Sequence, residues 1–179
     1  MNSKFNKAVF VCALSLATSL VAHADNKITF TGKVIDSACT ISVNGGVATL
    51  DLGETSAADI AAKGQTGAPK SFNISLGSCP AAAAGVPTKA YIKFSGTTDG
   101  DDTYFKNDLS GANAATNVAI LIKDAKNTAI INNDGNSAIN LPSAGGVVDL
   151  DYTASLVASA AAPTKGDVSS AVTYTVSYE

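Results

Sequence analysis

Apolar side chains return at every second residue along most of this chain, and that period belongs to β-strands with one face buried. Ile28, Phe30, Gly32 and Val34 alternate with Thr29, Thr31 and Lys33. Cys39, Ile41 and Val43 repeat the pattern, as do Phe72, Ile74 and Leu76 and then Ala90, Ile92 and Phe94. Val118, Ile120 and Ile122 follow, then a longer run from Val148 through Leu150, Tyr152 and Ala154 to Leu156. The cleanest case is last, with Val172, Tyr174, Val176 and Tyr178 set against Thr173, Thr175 and Ser177. One face on a core and one in water is how antiparallel sheets are usually buried.

Turn chemistry separates these runs. Asn44-Gly45-Gly46, Asp99-Gly100, Asn133-Asp134-Gly135 and Gly145-Gly146 favour positive φ or tight reversal. The one helical candidate, residues 57–63, is too short to carry a fold. The alanine-rich stretches 81–84 and 158–162 read as surface loops between strands. Many short strands at turn-punctuated spacing predict a β-sandwich or barrel, here a single sandwich domain.

The first 24 residues have a different character. Lys4 and Lys7 precede an apolar run over residues 8–21, and Ala22-His23-Ala24 supplies the small-x-small pattern of signal-peptidase cleavage. The run is short for a permanent anchor, which needs roughly 20 apolar residues. Residues 1–24 are therefore expected to be a signal peptide, and the remainder to leave the cytoplasm. Removing 24 of 179 residues leaves 155, suited to one domain.

Cleavage also removes His23 and Cys12, so the mature chain has no histidine and two cysteines, Cys39 and Cys79. Two cysteines in an exported chain suggest one disulfide, whose loop of about 40 residues would stabilise the fold by roughly 4 kcal/mol. Two free thiols, or half of a metal site, are the rival reading. It is weak, because zinc sites want four Cys or His ligands. Every basic residue is lysine, and ten lysines against fifteen acids leave the mature chain at a net charge of −5. An acidic surface without arginine argues against nucleic acid.

Catalysis has little to work with. Without histidine, a Ser-His-Asp arrangement, a Cys-His pair and a His-based metal site are all unavailable. Asp149 and Asp151 are expected on the solvated face of their strand. Asp99, Asp101 and Asp102 sit in a glycine-containing turn, where a loose calcium site is the alternative to plain solvation. No enzyme activity, cofactor or resident metal is expected.

Both ends of the mature chain carry a further pattern. Phe30-Thr31-Gly32-Lys33-Val34 is an aromatic-x-Gly-x-apolar core, followed by Cys39. Toward the other end, Gly166 stands fourteenth from the last residue and Tyr178 is penultimate, with alternating apolar residues between them. Together with the signal segment and the cysteine pair, these features resemble the pilins of chaperone–usher fimbriae, the subunits of type 1 and P-type pili. The resemblance covers the whole mature chain, although residues 85–147 match only in general style.

That resemblance implies an immunoglobulin-like sandwich lacking its last strand, spanning residues 37–179 and preceded by a donor extension at 25–36. It implies a structural subunit of an adhesive surface fimbria, polymerising by donor-strand exchange. Ile28, Phe30 and Val34 would fill pockets in a neighbour's groove, and Gly32 would sit where two backbones approach closely. Cys39 would pair with Cys79. Gly166, Val172, Tyr174, Val176 and Tyr178 would form the C-terminal edge offered to a periplasmic chaperone and an outer-membrane usher. Its partners would be identical subunits, joined head to tail and meeting the host through a tip adhesin. Two alternatives share part of this pattern: a minor adaptor subunit and a carbohydrate-binding adhesin, for whose extra lectin domain 155 residues leave no room.

Overall fold

The computed structural model describes residues 39–99, 102–130 and 138–179. The expected signal peptide, the expected donor extension at 25–36 with Ile28, Phe30, Gly32 and Val34, the turn at 133–135 and Asp101 lie outside the described residues.

Among the described residues eight strands follow one another: β1 Thr40–Val43, β2 Lys70–Cys79, β3 Lys89–Gly96, β4 Phe105–Lys106, β5 Val118–Asp124, β6 Ile139–Asn140, β7 Gly146–Ala158 and β8 Val172–Tyr178. One sheet has the order β1-β2-β7-β5-β4 and the other β6-β3-β8. Every pairing between these strands is antiparallel. Alternation decides which side chains meet between the sheets. Ile74 of β2, Ile122 of β5 and Tyr152 and Ala154 of β7 form one buried cluster with Ile92 and Phe94 of β3. Tyr152 holds that core by ring contacts, edge-on to Phe94 at 5.2 Å and stacked on Phe72 at 5.4 Å.

The two ends of the sandwich differ. At one end Cys39 and Cys79 are joined by a disulfide. Cys79 registers with Gly146 at the start of β7, and the Tyr178 hydroxyl donates to the Cys39 carbonyl at 3.5 Å. At the other end lie Val172 opposite Gly96 and Val118 opposite Ala158. The first is the disulfide end of the sandwich and the second its far end.

No helix forms over 57–63. The segment makes turns closed by Asp59 N donating to Ser56 O and Gln65 N to Ala62 O. Its single buried side chain, Ile60, packs against Ala115, Val118 and Ala158. A helix nucleus is costly, and one apolar anchor does not offset it. Asp149 and Asp151 stand exposed on the outer face of β7, and Asp149 accepts a hydrogen bond from Ser75.

Candidate functional site: the open groove

β8 pairs with β3 and, among the described residues, with no strand on its other side. The consequence appears in burial. Ala90, Ile92 and Phe94 of β3 are 0–3 % exposed, whereas their partners Tyr178, Val176 and Tyr174 remain partly open, Tyr174 at 37 %. Residues with the alternation of a core strand are thus left half covered. The core continues past them into a space that no strand among the described residues fills.

That space is a groove of about 460 Å³. Phe72 and Ile74, with Ile120 and Ile122, form its floor from the first sheet, and Phe94 closes it from the second. Val172 and Tyr174 make one rim. Ile41 and Val43 of β1 make the other, continued by residues 47–52, which belong to no strand although Ala48, Leu50 and Leu52 alternate.

Backbone polarity along the rim follows from the register. Lys89 and Glu179 exchange both backbone hydrogen bonds, N to O at 3.0 Å each way. Antiparallel ladders alternate bonded and non-bonded pairs, so Ser177, Thr175 and Thr173 turn their amides toward β3. The amides of Tyr174, Val176 and Tyr178 face the open side. The groove therefore offers an apolar floor and a row of peptide groups with no partner strand among the described residues, the features that invite an added strand.

Gly166 lies outside β8, in the segment leading to it. A Cβ there would stand 2.4 Å from Ala115 N and 2.6 Å from Asn113 O, so only glycine fits against that backbone. The contact is sealed on either side, Asp167 N donating to Asn113 O at 2.7 Å and Ala115 N to Asp167 O at 3.0 Å. Sequence reasoning missed the residue that clamps this region, Asn107. Its buried amide donates to Ala115 O and Asp167 O at 3.0 Å each, and accepts from Ser169 N at 3.0 Å and Leu109 N at 3.2 Å. Asp108 adds a bond from Ala171 N at 2.9 Å, which fixes the approach to β8.

At the disulfide end, Tyr178 packs over Cys39, Leu76 and Cys79. Burial pushes its phenol above the ordinary value, against a smaller opposite pull from the Cys39 backbone. The exposed Tyr91 phenol is also raised, first by its hydrogen bond to the Glu179 carboxylate at 2.6 Å. Asp102 is engaged within its own turn, accepting from Thr98 Oγ1 at 2.5 Å. Among the described residues no group of three or more Cys, His, Asp or Glu is placed to hold a metal ion.

Residues 28–179 match the family model described as "Fimbrial protein". The chain is 34 % identical over 177 residues to the probable major fimbrial subunit LpfA of Escherichia coli O157:H7, with 97 % of both chains covered. It is 37 % identical over 171 residues to the major fimbrial subunit SMF-1 of Stenotrophomonas maltophilia, covering 90 % of this chain and 98 % of the other. A solved chaperone–usher pilus structure superposes with a TM-score of 0.65 at 26 % identity, over 89 % of this chain and 98 % of that one. The P pilus rod subunit PapA shares the fold, with a TM-score of 0.63 at 22 % identity over 80 % of this chain and all of the other.

Proposed function

Since the chain belongs to the fimbrial protein family and is a structural subunit of a surface pilus, we propose that its copies join by donor-strand exchange through the groove beside β8. The observation that carries this reading is the half-covered inner face of β8, a strand with core side chains and a backbone edge that no described strand pairs. Residues 25–36 of the next subunit are the proposed occupant, with Ile28, Phe30 and Val34 on the groove floor. Gly32 falls at the middle of that segment, where the absence of a side chain lets the inserted backbone approach its neighbour. Donor and groove are different surfaces, so the contact is head-to-tail and propagates as a filament.

The same edge needs a guard before assembly. A soluble subunit with this groove empty would expose core residues and unpaired amides, an aggregation hazard. A periplasmic chaperone covering β8, and an outer-membrane usher at which the neighbour's strand replaces it, follow from that need. Export by a signal peptide at 1–24 supplies the route. Major and minor subunits both occur among the relatives, the latter as the minor fimbrial subunit HifD of Haemophilus influenzae at 33 % identity. The proportion of this chain in sheared filaments distinguishes a rod subunit from an adaptor.

A pair of substitutions tests strand donation. Gly32→Arg is expected to abolish polymerisation while leaving a chaperone-bound subunit, and Thr31→Arg, on the opposite face, to polymerise nearly as wild type. Equal piliation from the two variants would refute the assigned face.

A further inference from the structure

Five large apolar side chains are exposed among the described residues: Ile41, Val47, Leu109, Val147 and Tyr174. Three of them line the groove, and an inserted strand would cover them. Leu109 and Val147 remain, 44 % and 60 % exposed, at opposite ends of the sandwich. Val147 follows Gly146, which registers with the disulfide-bonded Cys79. Leu109 follows Asp108, whose amide donates to the Ser169 carbonyl just ahead of β8, at the far end.

We infer that Leu109 of one subunit and Val147 of the next form a second, end-to-end apolar contact in the polymer. The inference rests on the donor-strand reading and adds a contact outside the groove. Every strand pairing in both sheets is antiparallel. A strand that continues this pattern on the free edge of β8 has its C-terminal end beside Val172. Ile28 to Val34 and Val172 to Tyr178 are equal in length, so Val34 arrives at the far end of the accepting subunit. Only Ile35, Asp36, Ser37 and Ala38 then separate Val34 from Cys39, the first described residue of the donor's own sandwich. Five peptide links reach at most ~17 Å. The tether therefore holds the donor's disulfide end against the acceptor's far end.

Those facing ends carry the two apolar side chains that the groove does not use. The donor end also presents the exposed alanines 81–84, pinned there by Ala82 N donating to Ser143 O at 2.9 Å. A tether this short raises the effective concentration of one end near the other, so a weak apolar contact becomes populated without further affinity. Because the two ends are different surfaces, the contact repeats along the filament without closing.

The test is cross-linking of the two-subunit species, which has one junction and no lateral neighbours. A Leu109→Cys/Val147→Cys double variant is treated with a short bismaleimide, to which the native disulfide is inert. The expected result is conversion of the monomer band to a covalent dimer carrying a 109–147 linked peptide. A Leu109→Cys/Asp151→Cys control, with the second thiol at mid-sheet, should stay unlinked. A joined two-subunit species whose cysteines at 109 and 147 react only singly overturns the end contact and leaves strand donation standing. Failure of the wild-type chain to form any joined species overturns strand donation, and the end contact with it.

Discussion

A buried amide is stable only when its donors and acceptors are matched, and Asn107 matches four backbone groups from segments up to 62 residues away. Asn107→Ala strands those groups at once and is expected to cost about 2–4 kcal/mol, since each buried unpaired group costs about 1–3 kcal/mol and some regain water. The readout is the urea midpoint of strand-complemented protein, which should fall without a change in slope. The two tyrosines at the disulfide end make a pH prediction. Both phenols are raised in the folded state, so folding holds their protons more tightly than the unfolded chain does. Their contribution is intact below pH ~10, the unfolded phenol value, and is lost as pH rises through the folded values. Alkaline titration of the melting temperature should therefore decline less steeply in Tyr178→Phe than in wild type. An unchanged slope would mean that the phenol is not desolvated. Gly166 could be picked out by its place in a recognised pattern, but its physical reason could not. The backbone it touches lies some fifty residues earlier, and nothing in local sequence announces a close approach. Asn107 was silent for the same reason, being one asparagine among many until its partners are known.

Strands with three or more alternating apolar residues were legible, because a half-buried face leaves a periodic trace: β2, β3, β5, β7 and β8 all fall where the alternation lies. β4 and β6 have two residues each, too few to show a period, and they exist because a longer strand beside them needs partners. Residues 47–52 escaped notice for another reason: they line the groove without belonging to a ladder. The open side of β8 is also invisible to periodicity, which reports the face a strand buries and says nothing of its edges. Hydrogen exchange can read that edge directly. In the isolated subunit the amides of Tyr174, Val176 and Tyr178 should exchange fast, while those of Thr173, Thr175 and Ser177 are protected by β3. Adding a peptide of residues 25–36 should slow the first set and leave the second nearly unchanged. Uniform protection along β8 before the peptide is added would mean that its edge is already paired.

At the scale of the molecule, the proposed strand exchange would make folding and assembly one thermodynamic problem. A chain lacking residues 25–34 leaves groove-lining side chains such as Phe72, Ile120 and Tyr174, which are not fully buried, without a donor strand to cover them. Filling the groove with Ile28, Phe30 and Val34, as proposed, would bury three large apolar side chains, at roughly 1.5–3 kcal/mol each, and so about 5–9 kcal/mol before ordering costs. A small domain is stable by about 5–15 kcal/mol in total, so this one strand rivals the stability of the rest of the sandwich. The disulfide limits the unfolded ensemble but covers none of the groove. The truncated chain should therefore be marginal and prone to associate through β8. Grafting a copy of residues 26–36 after Glu179 through a flexible linker makes the same strand intramolecular, at an effective concentration that a free peptide cannot match. The linker must let the graft run back antiparallel to β8, which a short flexible turn at the disulfide end allows. That variant is expected to be a soluble monomer melting tens of degrees above the truncated chain, by the usual scaling of stability to melting temperature. Scanning calorimetry of the two proteins, with light scattering for mass, decides the matter. A truncated chain that is already monomeric and heat-stable would mean that the sandwich is complete without a donor. Polymerisation would then have to rest on surfaces other than the groove.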